Sequence, residues 1–366
     1  MSPPPSSGLP RIQTSDQYPG PELLERAGTA LAEGGVVALP TETVYGLAVR
    51  ADRPAALGAL ARLKSRPPAL HWTWHVGALA ALERFPALSA PARRLARRYW
   101  PGPLTLVLPG APPGLEAVAR EGWTGVRCVA HAATAGLLNA LDFPVVMTSA
   151  NVHGGDPAAD ADQVAREFES GLALLVDGGA ARLGEPSSVL RVGRGRFELL
   201  REGLHDLPQL RAAAGLRIGF ACTGNTCRSP MAAGLARHAI AERLECVDIS
   251  DFGFELHSMG VFASSGAPAS AQAVTALAER GIAIGVHRSS AASIEAVQEL
   301  DVVYCMTAAH VAALRLLLPP GRDGNVEMLD PAGGDVPDPL GGTLQDYRRC
   351  AQRIAECIAA HLDEWA

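Results

Sequence analysis

The chain is expected to fold as two α/β units, because short apolar runs alternate with amphipathic stretches along most of its length. Two further observations point the same way. Its 366 residues are too many for one ordinary domain and suit two. Aromatic residues make up only 5% while Gly and Pro number 38 and 28, which suits small-residue layered packing better than a β-sandwich.

Residues 1–20 begin Met1-Ser-Pro-Pro-Pro, without the basic tip and apolar run of a signal peptide, and are expected as a disordered tail. Pro21 to Glu33 reads as a helix closed by Gly34-Gly35, and Val36–Leu39 as the first buried strand. Helices follow over Pro54–Lys64 and Ala90–Tyr99. Strands are expected over Leu104–Leu108, Gly125–Val129, Val145–Thr148, Ala173–Val176 and Ser188–Val192, with Arg196–Leu200 pairing the last. A stretch with Gly, Pro and an alanine run over 204–215 reads as a linker between a unit at 21–203 and one at 216–366. The second unit is expected to run from a strand (Arg217–Ala221) through a loop into a helix (Ser229–Arg243). A strand at Val302–Met306, a loop over Pro331–Gly342 and a helix over Thr343–Leu362 follow later.

No apolar run approaches the roughly 20 residues that span a bilayer, so no membrane partner is expected and the protein is placed in the cytoplasm. Seven cysteines without paired spacing argue against a disulfide framework, and no Cys/His cluster has structural-zinc spacing. The net charge of −6 falls wholly on residues 211–366, whose mean charge opposes nucleic-acid binding. Basic residues crowd between Arg62 and Arg98, against Glu83 alone, and form a candidate anion site. The chain holds one lysine, Lys64, among 31 arginines, which suggests a role for a compact ammonium that a planar guanidinium cannot fill.

The most informative segment is Cys222-Thr223-Gly224-Asn225-Thr226-Cys227-Arg228-Ser229. It lies between a buried strand and a helix opened by Ser229-Pro230. Such a turn points backbone N–H groups inward, beside the positive end of a helix dipole, and cradles a phosphate. The same field favours the thiolate of Cys222, a nucleophile. Arg228 can grip two phosphoryl oxygens in its fork, and Ser229 can donate to the sulfur as it leaves. Gly224 and Asn225 suit the positive φ angles of a tight nest.

This run resembles the signature of low-molecular-weight protein phosphatases, as do the segments Ser258-Met-Gly-Val-Phe-Ala, His287-Arg-Ser and Asp301-Val-Val-Tyr-Cys-Met306-Thr. The resemblance covers the second half and implies a parallel sheet flanked by helices, no cofactor, and a phosphorylated protein as substrate. It further implies a general acid in an Asp-Pro loop, here Asp338 of Asp335-Val-Pro-Asp338-Pro339, with Asp335 as the competing candidate. Thr226, where tyrosine phosphatases of the family usually carry a bulky aliphatic residue, resembles the protein-arginine-phosphatase branch. Phosphoarginine is therefore favoured over phosphotyrosine. Cys227 either traps an oxidised Cys222 as a disulfide or simply packs.

In the first half, polar and cationic groups follow strands and helices as in an α/β crevice: Pro40-Thr41-Glu42-Thr43, Lys64-Ser-Arg66, Gly125-Val-Arg127, Thr148-Ser149-Ala-Asn151 and Pro186-Ser187-Ser188. Such groups suit an anionic ligand such as a nucleotide. In this order they resemble the threonylcarbamoyl-AMP synthase (YrdC-like) family, with a twisted mixed sheet and helices. That resemblance implies ATP, with magnesium, L-threonine and bicarbonate as substrates, and the tRNA t6A-modification machinery as partner. By it, Lys64, Arg66, Asn151 and Arg201 face the nucleotide. Thr41, His75, Arg127, Ser149 and Ser188 lie on the threonine side. The chain departs from the family pattern at Leu70-His71-Trp72-Thr73-Trp74 and at Val129. The alternative is a phosphatase whose first domain binds nucleotide or threonine without turning it over.

Overall fold

A computed structural model describes residues 9–15, 18–65, 72–152, 154–168, 170–319 and 325–366. The chain divides into two compact units, residues 1–88 with 92–210 and residues 89–91 with 211–366.

The first unit opens with β1 (Arg11–Gln13), α1 (Pro21–Ala32), β2 (Val37–Leu39), β3 (Gly46–Arg50), α2 (Pro54–Leu63) and β4 (Thr73–Val76). It continues through α3 (Ala90–Tyr99), β5 (Leu104–Pro109), β6 (Trp123–Cys128), α4 (Ala132–Ala140) and β7 (Val145–Ser149). It ends with α5 (Ala161–Glu167), β8 (Leu174–Asp177), β9 (Ser188–Gly193) and β10 (Arg196–Arg201). Among the described residues these strands form one mixed ten-stranded sheet, in the order β1-β8-β2-β3-β7-β4-β6-β5-β9-β10. α1 shows how the chain builds it. Pro21 stands at the first turn, where its missing N–H costs nothing, and Leu23, Ala27 and Leu31 bury one stripe. Gly34, at φ 90°, then turns the chain toward β2, whose three residues are all buried.

Within the expected tail over residues 1–20, Arg11–Gln13 form β1, which pairs in parallel with β8. The triplet is too short to show a period. Its alternation nevertheless buries Ile12, while Arg11 and Gln13 both donate to Asp177 Oδ2, at 2.6 Å from Nη2 and Nε2. Strands β3 and β4 and helices α4 and α5 were not expected either. β4 is only four residues long, with buried Trp74 between Thr73 and His75, too short for its alternation to stand out.

Helix α6 (Leu207–Ala214) occupies most of the stretch read as a linker. Beyond it come β11 (Arg217–Cys222), α7 (Arg228–Leu244), β12 (Glu255–Gly260), α8 (Ala271–Ala278), α9 (Ile294–Gln298) and β13 (Val302–Cys305). α10 (Ala308–Leu317), β14 (Val326–Met328) and α11 (Leu344–Trp365) complete the second unit. Among the described residues its sheet has four strands in the order β12-β11-β13-β14, every pair parallel. The order reverses between β11 and β13, so the crevice beyond their carboxyl ends is where an α/β sheet binds its ligand. Cys222 is the last residue of β11.

Helix α11 starts from a capping box between Thr343 and Asp346 and buries Tyr347, Ala351, Ile354, Ile358 and Trp365 at helical spacing. Phe220 on β11 is fully buried, its ring 6.3 Å from those of both Tyr304 and Trp365. Phe220→Ala should therefore destabilise the second unit by about 3–5 kcal/mol. A urea unfolding curve that keeps its midpoint would contradict this.

Candidate active sites

In the second unit, the loop between β11 and α7 wraps around Cys222. The Cys222 Sγ lies 3.0 Å from Ser229 Oγ and accepts the backbone N–H of Asn225 at 3.3 Å. Asn225 is completely buried at φ 55°, a left-handed backbone that asparagine tolerates better than most residues. Its Nδ2 donates to Ser229 Oγ (2.9 Å) and Ser258 Oγ (3.0 Å), and its Oδ1 accepts from Ser290 N (2.8 Å). His287 Nε2 bonds its carbonyl oxygen at 2.7 Å. Glycine is required at position 260, since a Cβ there would lie 2.6 Å from Thr223 O and 2.9 Å from Asn225 N.

Arg228 opens α7 and is buried, with Nη2 2.5 Å from Asp338 Oδ2 and 3.2 Å from Thr223 Oγ1, and Nη1 3.2 Å from Val336 O. The structure thus separates the two aspartates of the acid loop. Asp338 reaches the guanidinium while 41% of its side chain stays exposed, whereas Asp335 accepts Ala308 N at the start of α10. Thr226 is half-buried, its hydroxyl 3.7 Å from Cys227 Sγ. Cys227 is buried and faces Tyr347 Oη (3.3 Å) and Ser270 Oγ (3.4 Å). Beneath the acid loop, Cys350 is packed so deeply that burial pushes its thiol up to about 12.

In the first unit, Thr41, His75, Arg127, Ser149 and Arg201 line one cleft of about 200 Å³, together with Thr43, Thr105 and Ser187. Arg127 donates to Glu42 Oε1 (2.6 Å) and Thr43 Oγ1 (2.7 Å), in an ion pair whose two side chains are only 6% and 1% exposed. Burial raises the Glu42 pKa, but Arg127 and the N–H of Ala130 outweigh it and hold the carboxyl below its usual range. Arg201 donates to Ser187 O (2.7 Å) and Ser187 Oγ (3.1 Å). Burial first, and Arg127 second, push His75 down to about 3. The ring is therefore neutral, and a proton on Nδ1 suits its 3.0 Å contact with Thr73 O.

Three expected ligands stand elsewhere. Ser188 is turned away from the cleft: its hydroxyl donates to His205 O and accepts His205 N, both at 2.9 Å, and Ser187 takes the lining position. Lys64 is buried beside the cleft, its ammonium donating to Ser149 O (2.5 Å), Asn151 O (2.6 Å) and Asn151 Oδ1 (3.2 Å). Asn151 donates in turn to Val152 O and Gly155 O, so lysine and asparagine brace this loop rather than line the cleft. Arg66, Leu70 and His71 lie outside the described residues. Glu42, Thr43, Thr105 and Ser187 were missed as functional candidates. Glu42, Thr43 and Ser187 lie in the segments Pro40–Thr43 and Pro186–Ser188, but nothing local in sequence tells a carboxylate that binds ligand from one that pairs an arginine.

Two arrangements result: a buried cysteine sulfur enclosed by the loop between β11 and α7, and a cleft of hydroxyls and guanidiniums. Residues 29–203 match the Sua5/YciO/YrdC family described as telomere recombination, and residues 217–365 match the low molecular weight phosphotyrosine protein phosphatases. The chain carries one domain of each family, and both are families of enzymes. It is 32% identical over 226 residues to a threonylcarbamoyl-AMP synthase of Pyrococcus abyssi, covering 59% of this chain and 65% of that one. It is 33% identical over 198 residues to one of Bacillus subtilis, covering 52% and 56%. The chain thus spans less than two thirds of either relative. A solved structure of a Sua5 variant from P. abyssi matches with a TM-score of 0.51 at 28% identity, over 59% of this chain and 72% of that one.

The buried His75 has a consequence for stability. In the unfolded chain it takes a proton near 6.5, but in the fold only near 3. Stability is therefore lost as pH falls through that window, at up to about 1.4 kcal/mol per pH unit. His75→Gln should flatten acid denaturation of the first unit between pH 6 and 3. An unchanged slope would show that His75 is not the group titrating.

Proposed function

We propose that the chain is a bifunctional enzyme, a cysteine-dependent protein phosphatase preceded by a threonylcarbamoyl-AMP synthase. The observation that carries the phosphatase is Arg228, poised between the sulfur-bearing loop and Asp338. In this mechanism the loop N–H groups and the Arg228 fork bind the three non-bridging phosphoryl oxygens. Cys222 Sγ attacks phosphorus as the bond to the leaving atom breaks, and Asp338 protonates that atom. Phosphocysteine then forms, with the hydroxyl of Ser229, 3.0 Å from Sγ, placed to stabilise the thiolate when it leaves again. Asp338 takes the proton of the incoming water, which releases inorganic phosphate. Its exposure suits this exchange, and the contact of Asp335 with Ala308 N favours Asp338 as the acid.

The substrate proposed is phosphoarginine in a protein. Thr226 is short enough to admit a planar guanidinium, and its hydroxyl sits on the loop beside Cys227. Purified protein should hydrolyse p-nitrophenyl phosphate, and Cys222→Ser should lower kcat at least about 1000-fold. Persisting activity in that variant would discard the mechanism. Thr226→Ile should move preference from phosphoarginine peptides toward phosphotyrosine peptides by tenfold or so, read as the ratio of kcat/KM values.

For the first domain, the proposed reaction joins threonine and bicarbonate to the adenylate of ATP, releasing pyrophosphate, and supplies the tRNA t6A modification. The names of the two relatives and the cleft support it. Arg127 and Arg201 offer the guanidiniums that a carboxylate and a phosphate need, and the hydroxyls of Thr41, Thr43 and Ser149 offer donors. No carboxylate lines the cleft, and Glu42 beside it is committed to Arg127, so the described residues form no magnesium site. Magnesium would arrive on the phosphates of ATP. With ATP, threonine and bicarbonate, the protein should release pyrophosphate, and Arg127→Ala should reduce the rate by about 100-fold or more. Ligand binding without release would leave the domain a sensor.

A further inference from the structure

The first turn of α10 reaches the phosphate loop because β13 lies parallel beside β11, so both carboxyl ends open on the same crevice. Thr307 caps that helix, its hydroxyl accepting His310 N at 3.3 Å. His310 is 6% exposed, and both ring nitrogens are engaged: Nδ1 is 2.9 Å from Thr307 Oγ1 and Nε2 is 2.9 Å from Thr223 Oγ1. Thr223 Oγ1 in turn accepts from Arg228 Nη2 at 3.2 Å. We infer that His310 is a positioning residue for the phosphatase reaction, which fixes the Thr223 hydroxyl so that Thr223 holds the Arg228 guanidinium over the phosphoryl group. The inference rests on the phosphatase proposed above.

A guanidinium only donates, so Thr223 Oγ1 accepts from Arg228. We assign the remaining protons so that the Thr223 hydroxyl donates to Nε2 of a neutral imidazole, whose Nδ1–H goes to Thr307 Oγ1. The charged groups facing His310 are Arg228 from α7 and Asp335 and Asp338 from the acid loop. Burial and Arg228 favour the neutral ring, the two aspartates oppose them, and the net effect lowers the histidine below its usual range.

The anchor matters because of what Asp338 must do. In the structure Asp338 is paired with Arg228, but as a general acid it has to release that nitrogen and carry a proton to the leaving group. The guanidinium then keeps Val336 O on Nη1 and Thr223 Oγ1 on Nη2. Losing the second leaves the fork free to swing about its remaining bond, away from the geometry that matches two phosphoryl oxygens. In that assignment a protonated His310 donates to Thr223 instead of accepting from it, and the Thr223 hydrogen has to turn away from the imidazole. Activity should therefore fall on the acid side of the optimum partly through His310.

The test measures kcat and KM of the full chain on p-nitrophenyl phosphate across pH, for wild type, His310→Ala, His310→Gln, Thr223→Val and the His310→Ala/Thr223→Val double variant. His310→Ala and Thr223→Val should each lower kcat by about tenfold. The double variant should be no worse than the poorer single one, because both cut the same chain. His310→Gln, whose side-chain oxygen can accept from Thr223, should recover most of the lost rate and remove the His310 component of the acid limb. Undiminished kcat in His310→Ala, multiplicative losses in the double variant, or no recovery with glutamine would each overturn the inference. Cys222→Ser, assayed alongside, keeps the two proposals apart. Cys222-dependent hydrolysis with indifferent His310 variants sinks the positioning role alone, while hydrolysis independent of Cys222 sinks both.

Discussion

The second unit depends on one buried amide. Asn225 sits at the turn of the phosphate loop, in a backbone conformation that few side chains tolerate, and its side chain ties together Ser229, Ser258 and the backbone of Ser290. Its own N–H points at the sulfur. A side chain that both donates and accepts joins α7, β12 and the segment before α9, and so fixes the turn whose N–H points at the sulfur. That is the condition for electrostatic catalysis without reorganisation.

The first unit solves a related problem in a different way. A buried cation is costly unless paired, and Arg127 is set against Glu42. Arg201 is exposed and donates to the backbone and hydroxyl of Ser187. Both line the cleft. His75, kept neutral by the same surroundings, adds a polar edge without adding charge.

Where local rules and global fold agree, the sequence was easy to interpret. The loop from Cys222 to Ser229 carries its own strand, turn residues and helix start, so fold and candidate chemistry were visible together. The sheet of the first unit was harder. β1 is three residues long and β4 four, so neither is long enough to show a clear period. Long-range pairings were not legible at all. Nothing near Ser188 tells that its hydroxyl closes on His205 while Ser187 turns to the cleft. Nothing near His310, 87 residues from Thr223, announces that their side chains meet. Such contacts are set by which strands lie side by side, and topology supplies that only once the sheet is assembled.

The single lysine illustrates the gap between composition and placement. Its rarity suggested a ligand, but its ammonium is wrapped by the carbonyls of Ser149 and Asn151 and is 3% exposed. A reagent or enzyme that seeks side-chain amines has one target in the whole chain, and that target is enclosed. Lysine-directed tagging of the folded protein will find its one target enclosed, whereas guanidinium-directed chemistry has 31 arginines to choose from.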